Sequence, residues 1–123
     1  MKVINSKAAP AAVGPYSQAV LKNGLLFISG QLGIDPKTGK LCEGFEAQSR
    51  QVFSHLKSIL AEANMDFGNV LKATIYVTDM ANFKLLNEIY AEQFSEPFPA
   101  RETVQVSCLP VNGLVEISLI AAE

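Results

Sequence analysis

Arg101 and Glu116 occupy positions from which they could do chemistry. Arg101 closes the run Phe98-Pro99-Ala100-Arg101, directly after a proline-stiffened turn and at the start of an extended segment. A guanidinium held there can grip a carboxylate through two parallel hydrogen bonds. The ordinary alternative for a lone arginine is an exposed surface ion pair. Glu116 lies in Val115-Glu116-Ile117, a carboxylate inside an otherwise apolar strand. Such a group either faces an open sheet surface, lies in an interface, or has a raised pKa and handles protons. Taken alone, either residue fits its ordinary reading.

Other chemistries find little support. A metal site needs three or four converging His, Cys, Asp or Glu ligands, and the chain offers one histidine and two distant cysteines, Cys42 and Cys108. His55 falls with Gln51, Ser58 and Glu62 on the polar side of a predicted helix and reads as a surface histidine. There is no G-x-S-x-G elbow and no phosphate loop. Gly30-Gln31-Leu32-Gly33 is a weak glycine pair suited to a turn.

The elements that must position these residues follow from periodicity and turn chemistry. Lys2–Asn5, Tyr16–Leu21 and Leu25–Gly30 read as strands, the last two joined by Asn23-Gly24, the preferred pair for a tight hairpin. Residues 33–44 read as a loop. From Phe45 the period becomes helical, with Val52, Phe53, Leu56, Ile59, Leu60 and Ala63 on one stripe and Asn64 as the stop. Val70–Val77 alternates as a strand. Asp79 can cap a second helix carrying Phe83, Leu86, Tyr90 and Phe94, which Pro97 and Pro99 end. Two strands follow, Glu102–Leu109 and Leu114–Ala121, joined through Pro110 and Asn112-Gly113. The order βββαβαββ predicts an α+β fold, a single domain over 1–123 with a mostly antiparallel six-stranded sheet and two helices on one face.

That arrangement leaves the other face bare. If the helices cover Ala73, Ile75, Val77, Val104, Val106, Ile117 and Leu119, the open face carries Thr74, Tyr76, Thr103, Gln105, Ser107, Glu116, Ser118 and Ile120. This mixture suits a subunit interface with embedded polar groups, so a homo-oligomer is expected; a solvated antiparallel face is the common alternative. A two-residue turn at Asn112-Gly113 would pair Glu116 with Leu109, leaving Arg101 about 25 Å further along its strand at ~3.3 Å per residue. If that hairpin pairs directly, a small molecule touching both residues must lie between two chains. The same arithmetic at Asn23-Gly24 brings Tyr16, Ser29 and Gly30 into one cluster.

Composition bounds the rest. The chain has 123 residues, 49% hydrophobic and 18% charged, with a net charge of −2, enough for a packed core and unlike a disordered chain. No basic stripe is visible of the kind that neutralises nucleic-acid phosphates. Neither a secretory signal nor a run long enough to span a bilayer is present, and two cysteines do not make a disulfide framework. The expectation is a reduced cytoplasmic protein without a membrane or nucleic-acid partner.

Gly14-Pro15-Tyr16-Ser17-Gln18-Ala19, Ile28-Ser29-Gly30-Gln31, Asn87-Glu88-Ile89-Tyr90, Phe98-Pro99-Ala100-Arg101 and Leu109-Pro110 with Val115-Glu116-Ile117 resemble the Rid (YjgF) deaminases. That family also includes proteins called translation inhibitors and L-PSP endoribonucleases. The similarity runs in order through nearly the whole chain. It implies a chorismate-mutase-like fold, a homotrimer with clefts between subunits, and hydrolysis of 2-imino and 2-amino-enoic acids to 2-oxo acids and ammonia without metal or cofactor. By resemblance, Arg101 binds the substrate carboxylate and Glu116 positions the attacking water, while Tyr16, Ser29, Gly30, Asn87 and Thr103 line the cleft. Glu102 stands where many members carry a small residue, and alternation turns it away from Arg101. Thr103 replaces a cysteine found in some members, so no thiol chemistry belongs there. Two rival readings are a ribonuclease or translation inhibitor, and a non-catalytic carboxylate-binding or chaperone-like trimer.

Overall fold

The computed structural model describes residues Met1–Glu123. Eight main elements follow in order: β1 (Lys2–Ile4), β2 (Ala19–Lys22), β3 (Leu25–Leu32), α1 (Phe45–Glu62), β4 (Val70–Val77), α2 (Phe83–Gln93), β5 (Ala100–Gln105) and β6 (Val115–Ala122). The α+β class and the element order are those expected. Six strands form one sheet in the order β1-β2-β3-β6-β4-β5. Every neighbouring pair is antiparallel except β4 and β5. The β4-α2-β5 stretch is thus a crossover unit, with the helix returning the chain to the same end of the sheet.

Local chemistry explains the boundaries. Asn23 and Gly24 both adopt positive φ (52° and 77°), the twist a two-residue hairpin loop requires, and set Lys22 opposite Leu25. Asn64, at φ 57° just beyond the α1 cap residue Ala63, supplies the left-handed step that ends the helix. The Asp79 side chain accepts from the Ala81 backbone N–H at 2.9 Å and starts the short 3₁₀ turn that runs into α2. One cluster of 24 buried apolar residues fills the space between the helices and one sheet face. Ala73, Ile75 and Val77 of β4 pair there with Leu119, Ile117 and Val115 of β6.

The last two strands do not form the expected hairpin. β6 lies between β3 and β4, whereas β5 is the sheet edge, parallel to β4 with Arg101 opposite Ala73. The segment joining them is not a hairpin turn but a 3₁₀ turn at Pro110–Asn112. The expected phase of β5 is also inverted. Thr103 and Gln105 align with Ile75 and Val77 on the helix side, and Val104 aligns with Tyr76 on the open side, 43% exposed. Residues 106–109 lie outside the strand. Parallel pairing with β4 sets this phase, and Arg101 is drawn to the helix face by α2.

Val111 takes φ 51° and ψ 25° in that connection and is 64% exposed. A β-branched residue in the left-handed region is strained by about 1–2 kcal/mol. Val111→Gly is therefore expected to stabilise the protein by about 1 kcal/mol after the extra backbone entropy of glycine, read as a rise in thermal unfolding midpoint.

Candidate active site

Arg101 begins at the sheet edge and reaches α2. Its Nη1 donates to Asn87 Oδ1 at 2.8 Å, and its guanidinium carbon lies 4.8 Å from the Tyr90 ring centroid and 5.7 Å from that of Phe83. None of the three ion pairs in the molecule involves it, so its remaining donors stay open to a ligand. A cavity of about 290 Å³ lies against it, walled by Tyr90, Ala91, Phe98 and Pro99. Thr103, two residues on, faces the same side, and its hydroxyl is buried without a partner.

Glu116 points the other way. It pairs with Tyr76 and Leu32, on the open face. It is half-buried and makes no hydrogen bond or ion pair. Burial alone pushes its carboxyl above the ordinary glutamate value. The space it fills exists because residue 30 is glycine: a Cβ there would lie 2.8 Å from the Glu116 carboxyl carbon. Gly30 falls in a bulge where the β3–β6 register shifts between Ile28 and Gln31. Ser29 Oγ donates to the Ser17 carbonyl at 2.6 Å, tying the bulge to the segment that carries Tyr16, which is 53% exposed. A recess of about 60 Å³ opens between Tyr16, Gln18 and Gly30.

Tyr16, Ser29, Gly30 and Glu116 thus form one group, and Asn87, Arg101 and Thr103 form another. The two groups occupy opposite faces of the sheet. Within one chain the Arg101 and Glu116 Cα positions are separated by two strand spacings and three residues, roughly 14 Å. The 25 Å obtained from a paired hairpin is therefore replaced by a shorter distance and a stronger obstacle, the sheet itself. Glu102 faces away from Arg101, as alternation requires, and bonds Lys72 Nζ at 3.0 Å. The largest cavity, about 730 Å³ between the N-terminal segment and residues 34–39, is lined by neither Arg101 nor Glu116.

Two residues with defined positions were not legible as such. Gln18 is buried; its amide donates to the Ser6 and Pro10 carbonyls and accepts from the Ser6 N–H, folding residues 6–10 beneath Tyr16. His55 is a correction: it is fully buried, not on the surface. Its Nε2 lies 2.7 Å from the Ile34 carbonyl, so the 33–44 loop rather than water covers that flank of α1. Gly33 permits this approach, since a Cβ there would come within 2.5 Å of the Gln48 backbone.

Burial lowers the His55 pKa against the pull of the nearby Ile34 and Ala8 backbone. The unfolded chain therefore binds a proton more readily than the folded one, and the His55 contribution to stability must fall as pH drops through the ordinary histidine value of 6.5. As His55 is the only histidine, the unfolding midpoint of wild type relative to His55→Asn should be constant above neutrality and decline as pH falls through that value.

No three His, Cys, Asp or Glu side chains come together as metal ligands, and no helix is long and apolar enough to cross a membrane. The fold and its two polar side-chain clusters define a class of small α+β proteins with an open sheet face. The family model described as endoribonuclease L-PSP matches residues 6–123, and the chain belongs to that family, the Rid (YjgF) family. It is 46% identical to a 2-iminobutanoate/2-iminopropanoate deaminase of Bos taurus over 99% of this chain and 90% of that one. It superposes on RidA from the Antarctic bacterium Psychrobacter sp. PAMC 21119 with a TM-score of 0.97 at 46% identity, covering both chains fully. E. coli TdcF with bound serine matches at a TM-score of 0.95 and 35% identity, over 100% of this chain and 99% of that one.

Proposed function

We propose that the protein hydrolyses 2-imino and 2-amino-enoic acids, 2-iminobutanoate and 2-iminopropanoate among them, to 2-oxo acids and ammonia, in sites shared between subunits of a homotrimer. The observation that carries this reading is Arg101, a half-buried guanidinium held by an amide and two aromatic rings with no acidic partner. A carboxylate is the ligand that such a group lacks. The deaminase name of the bovine relative and the serine bound to E. coli TdcF, itself an α-carboxylate, point the same way.

In this mechanism Arg101 holds the carboxylate and Glu116 of another subunit takes a proton from water as its oxygen adds to the imine carbon. The proton is returned to nitrogen to give a carbinolamine; the carboxylate then takes the hydroxyl proton and passes it to the amine as the C=O bond forms and the C–N bond breaks, releasing ammonia and the 2-oxo acid. An imine is already electrophilic, so positioning it beside water supplies much of the rate gain. A carboxyl pushed up by burial is suited to both transfers. The open face, with Phe27 44% and Val104 43% exposed, supplies the surface that another copy would cover. No cofactor enters this scheme.

A threonine dehydratase generating 2-iminobutanoate, with semicarbazide trapping what remains, tests it. Wild-type protein should shrink the trapped fraction and increase 2-oxobutanoate; no acceleration by the assembled protein would remove this substrate class. The ribonuclease reading meets two obstacles, a fully buried single histidine and an acidic pI of about 5.4. Cleavage of RNA dependent on Arg101 and Glu116 would restore it, and ligand binding without turnover would favour the binding-only reading.

A further inference from the structure

Phe83, Asn87 and Tyr90 lie at spacings of four and three along α2 and so share one helix face, the face that meets Arg101. The three treat the guanidinium differently. Asn87 takes one donor at 2.8 Å. Tyr90 offers its ring at 4.8 Å, and Phe83 lies farther off at 5.7 Å. Tyr90 is itself clamped: its ring stacks on Phe94 with centroids 4.4 Å apart and meets Phe53 edge-on at 6.2 Å. Its hydroxyl is buried and unpartnered, so no hydrogen bond accounts for its position. An Asp or Glu at this place would also hold the arginine, but would neutralise it and compete with an incoming carboxylate. An aromatic face attracts the cation through its quadrupole and leaves the edge donors free.

We propose that Tyr90 is the positioning residue for Arg101, its ring fixing the guanidinium plane so that the free donors meet a substrate carboxylate together. The consequence for substrate rests on the deaminase reading; the positioning itself does not. The rigidity of the arginine derives from the core, through Phe94 and Phe53, and not from an acidic neighbour. Substitution of Tyr90 should therefore weaken carboxylate capture while leaving the chemistry at the imine carbon nearly unchanged.

The test joins a measurement that needs no turnover to one that does. In ¹⁵N–¹H spectra of the assembled protein, the Arg101 Nε–Hε signal, assigned by its loss in Arg101→Lys, should be single and displaced by the Tyr90 ring current. Tyr90→Leu should return it to the position of a freely moving arginine, and Tyr90→Phe should leave it displaced. In imine hydrolysis, Tyr90→Leu should raise KM about tenfold with kcat little changed, and Tyr90→Phe should restore KM to within about twofold of wild type. Phe67→Leu, which removes a ring of the same cluster that touches Phe53 and Phe94 but not Arg101, should lower the unfolding midpoint without moving KM. An undisplaced wild-type signal, equal losses in the Phe and Leu variants, or a matching KM rise in Phe67→Leu would each overturn the role of Tyr90. A wild type with the displaced signal and no hydrolysis leaves the positioning in place and removes the proposed reaction instead.

Discussion

Arg101→Ala should lower kcat/KM for 2-iminobutanoate on the order of a hundred- to a thousandfold in a protein that still folds and assembles. Two charge-assisted hydrogen bonds to one carboxylate, each ~1.5–3 kcal/mol, set this range once solvent exposure is allowed for. Structural damage should be modest, because Arg101 is half-buried and engages no acidic group. Arg101→Lys should recover only part of the loss: an ammonium keeps the charge but not the planar fork that lies against Tyr90. The measurement is a substrate titration on protein whose assembly is checked by gel filtration. A change smaller than about tenfold would place the carboxylate elsewhere.

For Glu116→Gln two effects of opposite benefit are expected. The rate should fall by roughly 10²–10⁴, the usual contribution of a positioned proton-transfer group. Stability at neutral pH should rise. Burial raises the Glu116 pKa above the ordinary glutamate value of 4.5, so the folded state binds its proton more tightly than the unfolded one. The stability this gives is complete below 4.5 and is lost as pH rises through the folded value. Above that value the half-buried charge is a standing cost, which glutamine removes. The thermal midpoint of Glu116→Gln should thus exceed that of wild type at pH 7–8 and converge on it in acid. Wild-type activity should also fall on the acid side at a pH above that of an ordinary glutamate. A glutamine variant with full activity would remove Glu116 from the reaction.

The two variants together test whether sites are shared. If each site takes Arg101 from one subunit and Glu116 from a neighbour, refolding the two inactive variants together at equal amounts should create intact sites at about one in four positions. Recovery of about a quarter of wild-type activity follows, and no recovery would mean that both residues must come from one chain.

Local order was well marked in the sequence. Val70–Val77, the Asn23-Gly24 hairpin and the stop at Asn64 all rest on near-neighbour chemistry, and the structure places them as that chemistry requires. The β5–β6 pairing was misread because turn residues report where a chain reverses, not which strand becomes its neighbour. The strand sequences held the better clue. β6 is apolar at all but Glu116 and Ser118, as suits a strand flanked on both sides, whereas Ala100-Arg101-Glu102-Thr103-Val104-Gln105 is polar enough for an edge. His55 was misplaced because helical periodicity cannot tell a flank facing water from one covered by a loop. At the candidate site, residue type singled out Arg101 and Glu116, but their opposite faces depend on the parallel pairing of β5. Tyr90 read as core, and it is core; only the position of Arg101 over its ring gives it a second part.

β6 follows every other strand in chain order yet lies between β3 and β4. Until it arrives, β3 and β4 each keep one unpaired edge; α1 packs against both β3 and α2 but supplies no strand to bridge them. Closing the sheet is therefore a late, long-range event, with the slow kinetics and transient stickiness such pairings bring during synthesis. The same strand delivers Glu116, so a chain that has not finished folding also lacks its acid.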